Sequence, residues 1–181
     1  MQLSDGEKLI LIMLCDIHKA LKIKDSIDPD FVSHTIHNDH LWGLRLPYSG
    51  IPFSKQADPP EVKEVEDAME MWAFIEDAYD RLSPSDKEQL EKDADPFGKD
   101  PKFTGFDCNK ETKHMSIARY FVEHLYRFSD WKGRDFNSHE PSLDRYNHMV
   151  RLFKPMRAGL RGDTPLNVQQ LTDLLKAYRG R

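Results

Sequence analysis

Apolar side chains recur at alternating spacings of three and four residues between positions 65 and 82. Their positions are Val65, Ala68, Trp72, Ile75, Tyr79 and Leu82. This spacing places all of them on one face of an α-helix, as in the seam of a helical bundle. Met71 and Phe74 widen the apolar face beyond that seam. The pattern predicts a long helix that packs against its neighbours and offers a second apolar flank to a partner.

Cap signals and shorter apolar stripes predict helices on both sides of this one. Ser4 and Glu7 have the spacing of a capping box ahead of an apolar run, so a first helix should begin just after Ser4. A short second helix should end near Gly43. Ser83 followed by Pro84 is typical of the start of another short helix.

Three more stripes follow in the second half of the chain. The first of them, which predicts a long helix, consists of Ala118, Phe121, Leu125 and Phe128. Pro155 should bend or end the next helix, and Asn167, with Gln170 three residues on, should cap the last one. Prolines disfavour the one strand candidate, residues 43–53. The sequence therefore predicts a single all-α domain over residues 1–181, a multi-helix bundle of about seven helices.

The apolar run from Leu9 to Leu14 leaves no polar face on the first helix. Such a segment should be buried on most sides, within the domain or against a second copy. It is far shorter than the roughly 20 apolar residues of a membrane span. Asp5 and Glu7 precede it, where a secretory signal would be basic. We therefore expect a cytoplasmic protein, no membrane contact, and a homodimer formed through the first helix or the 65–82 helix.

Charge and cysteine content narrow the class of protein. The net charge of −5 gives no global basic excess of the kind that indicates nucleic-acid binding. Residues 61–94 are acidic and residues 141–181 are basic, which fits either two solvated helical faces or a contact between subunits. Cys15 and Cys108 form no ligand pattern, and we expect free thiols in a reducing compartment.

Three histidines, His34, His37 and His40, recur at a spacing of three. On a helix the first and last would lie about 9 Å apart along the axis. Two ligands of one zinc ion must lie much closer, since each is at ~2.0–2.1 Å from the metal. Glu111 and His114 have the local spacing of a carboxylate-bridged di-metal site, but no second such pair exists in the sequence. We therefore predict no metal or other cofactor.

No complete catalytic set is present in the sequence, so a protein without catalytic activity is favoured. The first alternative is a metal-dependent enzyme that uses Glu111 and His114 with the nearby histidines. The second alternative is a nucleic-acid-associated protein that binds through the basic C-terminal region. We expect direct nucleic-acid binding to be absent, and the separate patch "WKGRDFN" is only weak evidence for it, because the patch is small and Asp130 and Asp135 flank its basic residues.

Short motifs in a fixed order give a resemblance that covers nearly the whole chain. They are "LSDGEKLIL", "MEMW", "FTGFD", "ARYFVE", "RDFNSHEP" and "DRYNHM". In this order they resemble the YfbU family of bacterial proteins. The resemblance implies an all-α intracellular domain of uncharacterised function. Some relatives join the domain to a DNA-binding ribbon-helix-helix module, which implies a ligand-binding or sensing role.

The motif residues have a structural interpretation. Asp107 should cap the long helix, Gly105 should adopt a backbone angle that other residues resist, and Phe106 and Phe136 should anchor their loops in the core.

The alternative is a ligand-binding pocket formed by Asp107, Glu111, Arg119, Arg134 and Asn137. The loops that carry Asp107 and Asn137 flank one helix, and 20 helical residues span ~30 Å. They can share a pocket only if the 129–140 loop folds back or a second subunit contributes its loop. We thus expect a regulatory or sensing module that binds an unknown small molecule or protein.

Overall fold

A computed structural model describes residues 2–54 and 56–178 of the chain. Within those residues it has seven α-helices and no strand. The helices are α1 (Asp5–Leu21), α2 (Pro29–His37), α3 (Pro60–Arg81), α4 (Pro84–Asp93), α5 (Thr112–Glu123), α6 (Leu143–Gly159) and α7 (Val168–Tyr178). Two short 3-10 turns span Leu41–Arg45 and Ser129–Trp131. The prediction of an all-α bundle is confirmed.

Local hydrogen bonds at the helix starts follow the predicted cap residues. The Glu7 backbone N–H donates to the Ser4 hydroxyl, and the Glu7 carboxylate accepts from the Ser4 N–H, which completes the capping box. Ser83 caps α4 through the Asp86 N–H. Asn167 and Gln170 exchange the same pair of bonds ahead of α7, at 2.9 Å each. These starts are predictable because every partner lies within three residues of the cap.

Helix α3 is the centre of the main core. It packs against α5, α6 and α7, and Val65 and Ile75 have no exposed surface. The predicted seam is confirmed. Met71 is also fully buried inside the chain, so the prediction that Met71 offers an apolar flank to a second copy is wrong. The flank faces the chain's own core instead of solvent.

Helix α5 is shorter than its apolar stripe predicts. It ends at Glu123, and the backbone then reverses through Tyr126 and Phe128, both at φ 54°. Leu125 and Phe128 still pack against the core, but from this turn rather than from the helix. A helix extending through Phe128 is therefore wrong, because a chain that folds back can keep apolar residues at helical spacing.

Pro155 does not end α6, which continues to Gly159. The proline side chain is exposed, so water can donate to the helix carbonyl that the missing proline N–H leaves without a partner.

The acidic and basic segments meet within one chain, since Lys154 lies 2.9 Å from Asp67 on α3 and Arg157 lies 3.4 Å from Glu70.

Helices α1 and α2 form a separate lobe on this core. Phe31 and Ile36 of α2 join Leu41, Leu44 and Tyr120 in a second apolar cluster. Helix α1 packs on α2, and Cys15 is its one buried residue. Of the two alternatives for the first apolar run, burial within the domain is wrong, because Leu9, Ile10, Met13 and Leu14 are exposed. In the described part of the chain, no helix has the length and apolar content needed to cross a membrane.

Candidate functional site

Glu111 immediately precedes α5, and its buried carboxylate accepts hydrogen bonds from the start of α6. It accepts the backbone N–H of Ser142 at 2.9 Å and that of Leu143 at 2.8 Å. It also accepts the Asp107 N–H at 3.0 Å and the Ser142 hydroxyl at 3.1 Å. Helix starts leave N–H groups without partners and favour negative charge. Glu111 therefore joins the α5 start to the α6 start.

Asp107 does not cap α5, contrary to the prediction. Its carboxylate accepts the Asn109 N–H at 3.0 Å, within a turn that precedes the helix, and α5 begins only at Thr112. The other structural predictions are confirmed: Gly105 has φ 86°, and Phe106 and Phe136 are buried in the core. A Cβ at Gly105 would lie 2.0 Å from the Phe136 carbonyl oxygen.

The 129–140 loop folds back along α5. Phe106 N–H donates to the Phe136 carbonyl at 2.9 Å, and Ser138 N–H donates to the Phe106 carbonyl at 3.2 Å. The Asn137 side chain accepts the Cys108 N–H at 3.2 Å. The structure thus brings Asp107, Glu111 and Asn137 into one region.

Arg134 and Arg119 lie apart from that region. Arg134 forms two parallel bonds, at 2.8 and 2.7 Å, with the buried carboxylate of Glu76. Trp131 Nε1 and the Phe103 N–H donate to the same carboxylate. Arg119 lies 3.6 Å from Asp135 at the surface. All five predicted residues therefore have partners within the chain, and their ligand-binding role stays a prediction.

The residues considered for a metal site belong to different networks. His114 Nε2 lies 2.8 Å from Glu64 Oε2, whereas Glu111 faces α6. His40 is buried and bonds Ser116 at 3.0 Å, and burial lowers its pKa to about 4. Among residues 2–54 and 56–178, no three His, Cys, Asp or Glu side chains converge as metal ligands.

A groove of about 950 Å³ lies between α2 and the turn that follows α5. Its rings are those of Phe31, His34, His37, Tyr48, His124 and Tyr126. Its charged side chains are Lys19, Asp28, Asp30, Glu123 and Arg127. Small-molecule sites commonly have volumes of roughly 300–1,000 Å³, so we take this groove as the candidate functional site.

Two imidazoles stack inside the groove. The ring centroids of His34 and His124 lie 3.6 Å apart with 24° between the planes. Burial, and then the neighbouring His124, lower the pKa of His34, because a charged ring would lose water and face a second basic group. The Asn38 amide donates to His34 Nε2 at 3.3 Å. At neutral pH the His34 ring in the groove is therefore uncharged.

Tyr126 stands at the rim with 75% of its surface exposed. Its φ of 54° is uncommon for a residue with a side chain. Across the groove, the Tyr48 hydroxyl accepts the Asp28 N–H at 2.9 Å, which fixes the start of α2 against the 46–48 turn. One wall of the groove is therefore the hydrogen-bonded start of α2, and its rim is an exposed ring in the turn that ends α5.

Comparison with known proteins identifies the family. The model of the YfbU domain matches residues 1–177. The chain belongs to the YfbU domain family. Its YfbU domain is similar to the UPF0304 protein MJECS11 of Methanocaldococcus jannaschii, with 34% identity over 93 residues. The alignment covers 49% of this chain and 52% of that relative, so the chain spans about half the length of the curated relative it matches.

The residues that carry the resemblance mostly build this YfbU domain. Gly105, Phe106 and Glu111 join loops and helix starts. The groove residues carried no sequence signal, since His34 and His124 lie 90 positions apart in the chain. The spacing of His34, His37 and His40 pointed only to a possible metal site, and it did not link these residues to His124.

Proposed function

We propose that this YfbU domain is a non-catalytic binding module whose small-molecule site is the groove between α2 and the 124–127 turn. The stacked His34 and His124 pair, with the exposed Tyr126 ring beside it, carries the proposal. Aromatic faces bind flat ligands by stacking, and the Tyr126 ring stands exposed beside the pair, at the residue with positive φ that ends the reversal after α5.

Charge pairing in the groove narrows the class of ligand. Lys19 lies 2.5 Å from Asp30, and Arg127 lies 2.7 Å from Glu66. Both cations therefore already have carboxylate partners, and a strongly anionic ligand would have to displace them. The groove suits a neutral or zwitterionic molecule with a planar ring and polar edges, which would stack on Tyr126 or His124.

The one serine and histidine pair in the groove supports a role without catalysis. Ser33 Oγ lies 3.4 Å from His37 Nδ1, but the Ser33 carbonyl lies only 2.7 Å from the same nitrogen. A carbonyl accepts and never donates, so Nδ1 carries the proton. That nitrogen cannot remove a proton from the Ser33 hydroxyl, and the pair lacks the activated nucleophile that acyl transfer requires.

A thermal-shift screen of metabolites with planar rings tests the proposal. We expect at least one compound to raise the melting temperature of the wild-type protein and to lose that effect in Tyr126→Gly. Glycine removes the ring and also favours the positive φ, so lost binding cannot be attributed to a misfolded turn. His148→Ala, an exposed histidine on α6, is the matched control for His124→Ala.

Two results would contradict the proposal, the first against the groove as the site and the second against a role without catalysis. One is a ligand that binds Tyr126→Gly and His124→Ala as tightly as the wild type. The other is turnover by the wild-type protein in an enzyme panel that includes metal-supplemented assays. Binding that is lost instead in Arg119→Ala or Asn137→Ala would move the site to the motif residues.

A further inference from the structure

Helix α1 has an apolar face that nothing in the described chain covers. Its exposed apolar residues are Leu9 64%, Ile10 59%, Met13 64%, Leu14 53%, Ile17 52% and Leu21 67%. On the opposite side Leu11 and Ile12 are partly buried and Cys15 is buried. One side of the helix therefore completes the α2 lobe, while the other side is apolar and faces solvent.

The exposed side has the spacing of a coiled coil. Ile10, Leu14, Ile17 and Leu21 follow one another at intervals of four, three and four. A surface helix needs no such seam on its solvent side, where polar residues are usual. Alternating spacings of three and four keep a stripe facing a second helix along its whole length. The pattern indicates that the partner of this face is itself a helix.

The area of the face matches what a dimer needs. Six side chains that each expose on the order of 100 Å² give roughly 600 Å², the upper end of the largest apolar patch on a typical monomer. With the flanking polar side chains the face approaches the ~800 Å² that each partner buries in a standard interface.

Charge along α1 is self-complementary when two copies run in opposite directions. Asp5 and Glu7 lie in its first turn. Lys22 caps its C-terminal end, and Lys24 follows. A parallel pair would place like charges side by side, whereas an antiparallel pair places the acidic end of each copy beside the basic end of the other. The same surface then serves both subunits, as two-fold symmetry requires.

We propose that α1 pairs with α1 of a second copy of this chain as an antiparallel coiled coil. In the register that the spacing defines, Leu14 of one copy faces Ile17 of the other, and Ile10 faces Leu21. The same register sets Glu7 against Lys24. Lys19 lies on the opposite side of α1, 2.5 Å from Asp30 of α2, so this pairing leaves the groove open.

Light scattering coupled to size exclusion gives the first test. We expect the mass of two chains at micromolar concentration for the wild type and of one chain for Leu14→Glu, with the helical circular dichroism of both unchanged. Leu152→Glu, which introduces the same charge at an exposed leucine of α6, should remain dimeric. A wild type that stays at one chain over a hundredfold concentration range, or a Leu14→Glu protein that stays at two, overturns the proposal.

Cross-linking with a short bismaleimide tests the direction of the pair. In a Cys108→Ser background, a mixture of Ile10→Cys and Leu21→Cys proteins should form covalent dimers that contain one of each. Neither protein should cross-link alone, because in this register two copies of residue 10 lie about 16 Å apart along the axis. Efficient cross-linking of Ile10→Cys with itself would contradict the antiparallel arrangement. Cross-linking of neither the mixture nor the single variants would contradict the interface.

Discussion

The α3 core and the α1–α2 lobe differ in how completely the chain buries their apolar side chains. Around α3 the seam residues are buried, and the carboxylates of Glu76 and Glu111 each accept several hydrogen bonds. On α1 six large apolar side chains are more than half exposed, and the adjoining groove is lined with rings. The chain therefore completes its own α3 core, whereas the α1–α2 lobe keeps large apolar side chains and rings at the surface.

Replacing either of two methionines by glutamate gives the largest predicted difference in unfolding free energy between the two regions. Met71→Glu places a carboxylate in the α3 core, where Met71 has no exposed surface, and we expect a loss of about 4 kcal/mol or more in unfolding free energy. Met13→Glu makes the same change on the exposed face of α1. It should leave the stability of the isolated chain within about 0.5 kcal/mol. Urea unfolding at a concentration below dimer formation measures both, and equal losses would contradict the contrast.

Glu111→Gln tests how much the hydrogen bonds from Glu111 to the start of α6 stabilise the fold. The amide nitrogen would face backbone N–H groups of Asp107, Ser142 or Leu143, so at least one buried donor loses its acceptor. We expect a loss of about 2–3 kcal/mol, measured by the urea midpoint. Glu88→Gln, an exposed change on α4, is the matched control. A Glu111→Gln protein as stable as that control would show that the network contributes little.

A pH titration of stability should report on His40, which lies between the two regions. Burial lowers its pKa from 6.5 to about 4, so the unfolded chain binds more protons than the folded chain between these values. The contribution of His40 to the free energy of unfolding is therefore fully present above pH 6.5 and is lost as the pH falls toward 4. Between pH 7 and 5 the loss is about 2 kcal/mol.

His40→Gln should flatten this pH dependence without removing it, because the pKa of His34 is lowered as well. Urea midpoints at pH 7 and pH 5 provide the comparison, with His148→Gln as the control. A His40→Gln protein with the wild-type slope would exclude His40 as its source.

Tyr126→Gly should change the stability only slightly, and the sign of the change is opposite to that of the losses above. Glycine adopts a φ near 54° without the penalty that a side chain incurs. We expect a gain of up to about 1 kcal/mol, offset in part by the greater freedom of glycine in the unfolded chain. A clear loss of stability would mean that the Tyr126 ring packs as a structural element rather than as an exposed ring of the groove.

Features with partners close in sequence were predictable. The Ser4, Ser83 and Asn167 caps need only a partner within three residues, and the α3 seam needs only its own spacing. Glu111 was predicted as a motif residue, but its acceptor role toward Ser142 and Leu143 depends on how two helix starts meet. The end of α5 was not predicted because Tyr126 and Phe128 have positive φ, where glycine or asparagine is the usual sequence signal.

The groove was not predictable from one sequence. Its two walls come from segments roughly 90 residues apart, and no short pattern records that they meet. The apolar run of the first helix did indicate a surface in need of cover, but burial within the chain and burial against a second copy fit that run equally. Exposure in the structure was needed to separate the two.

Hydrogen exchange measured at several protein concentrations tests most directly the claim that the chain completes its own α3 core and leaves α1 for a second copy. If the claim is right, amides of α1 exchange more slowly as the concentration rises through the range of dimer formation, while amides of α3 exchange at one constant slow rate. Leu14→Glu should abolish the concentration dependence in α1 and leave α3 unchanged. Exchange of the α1 amides that is independent of concentration in the wild type would contradict the account.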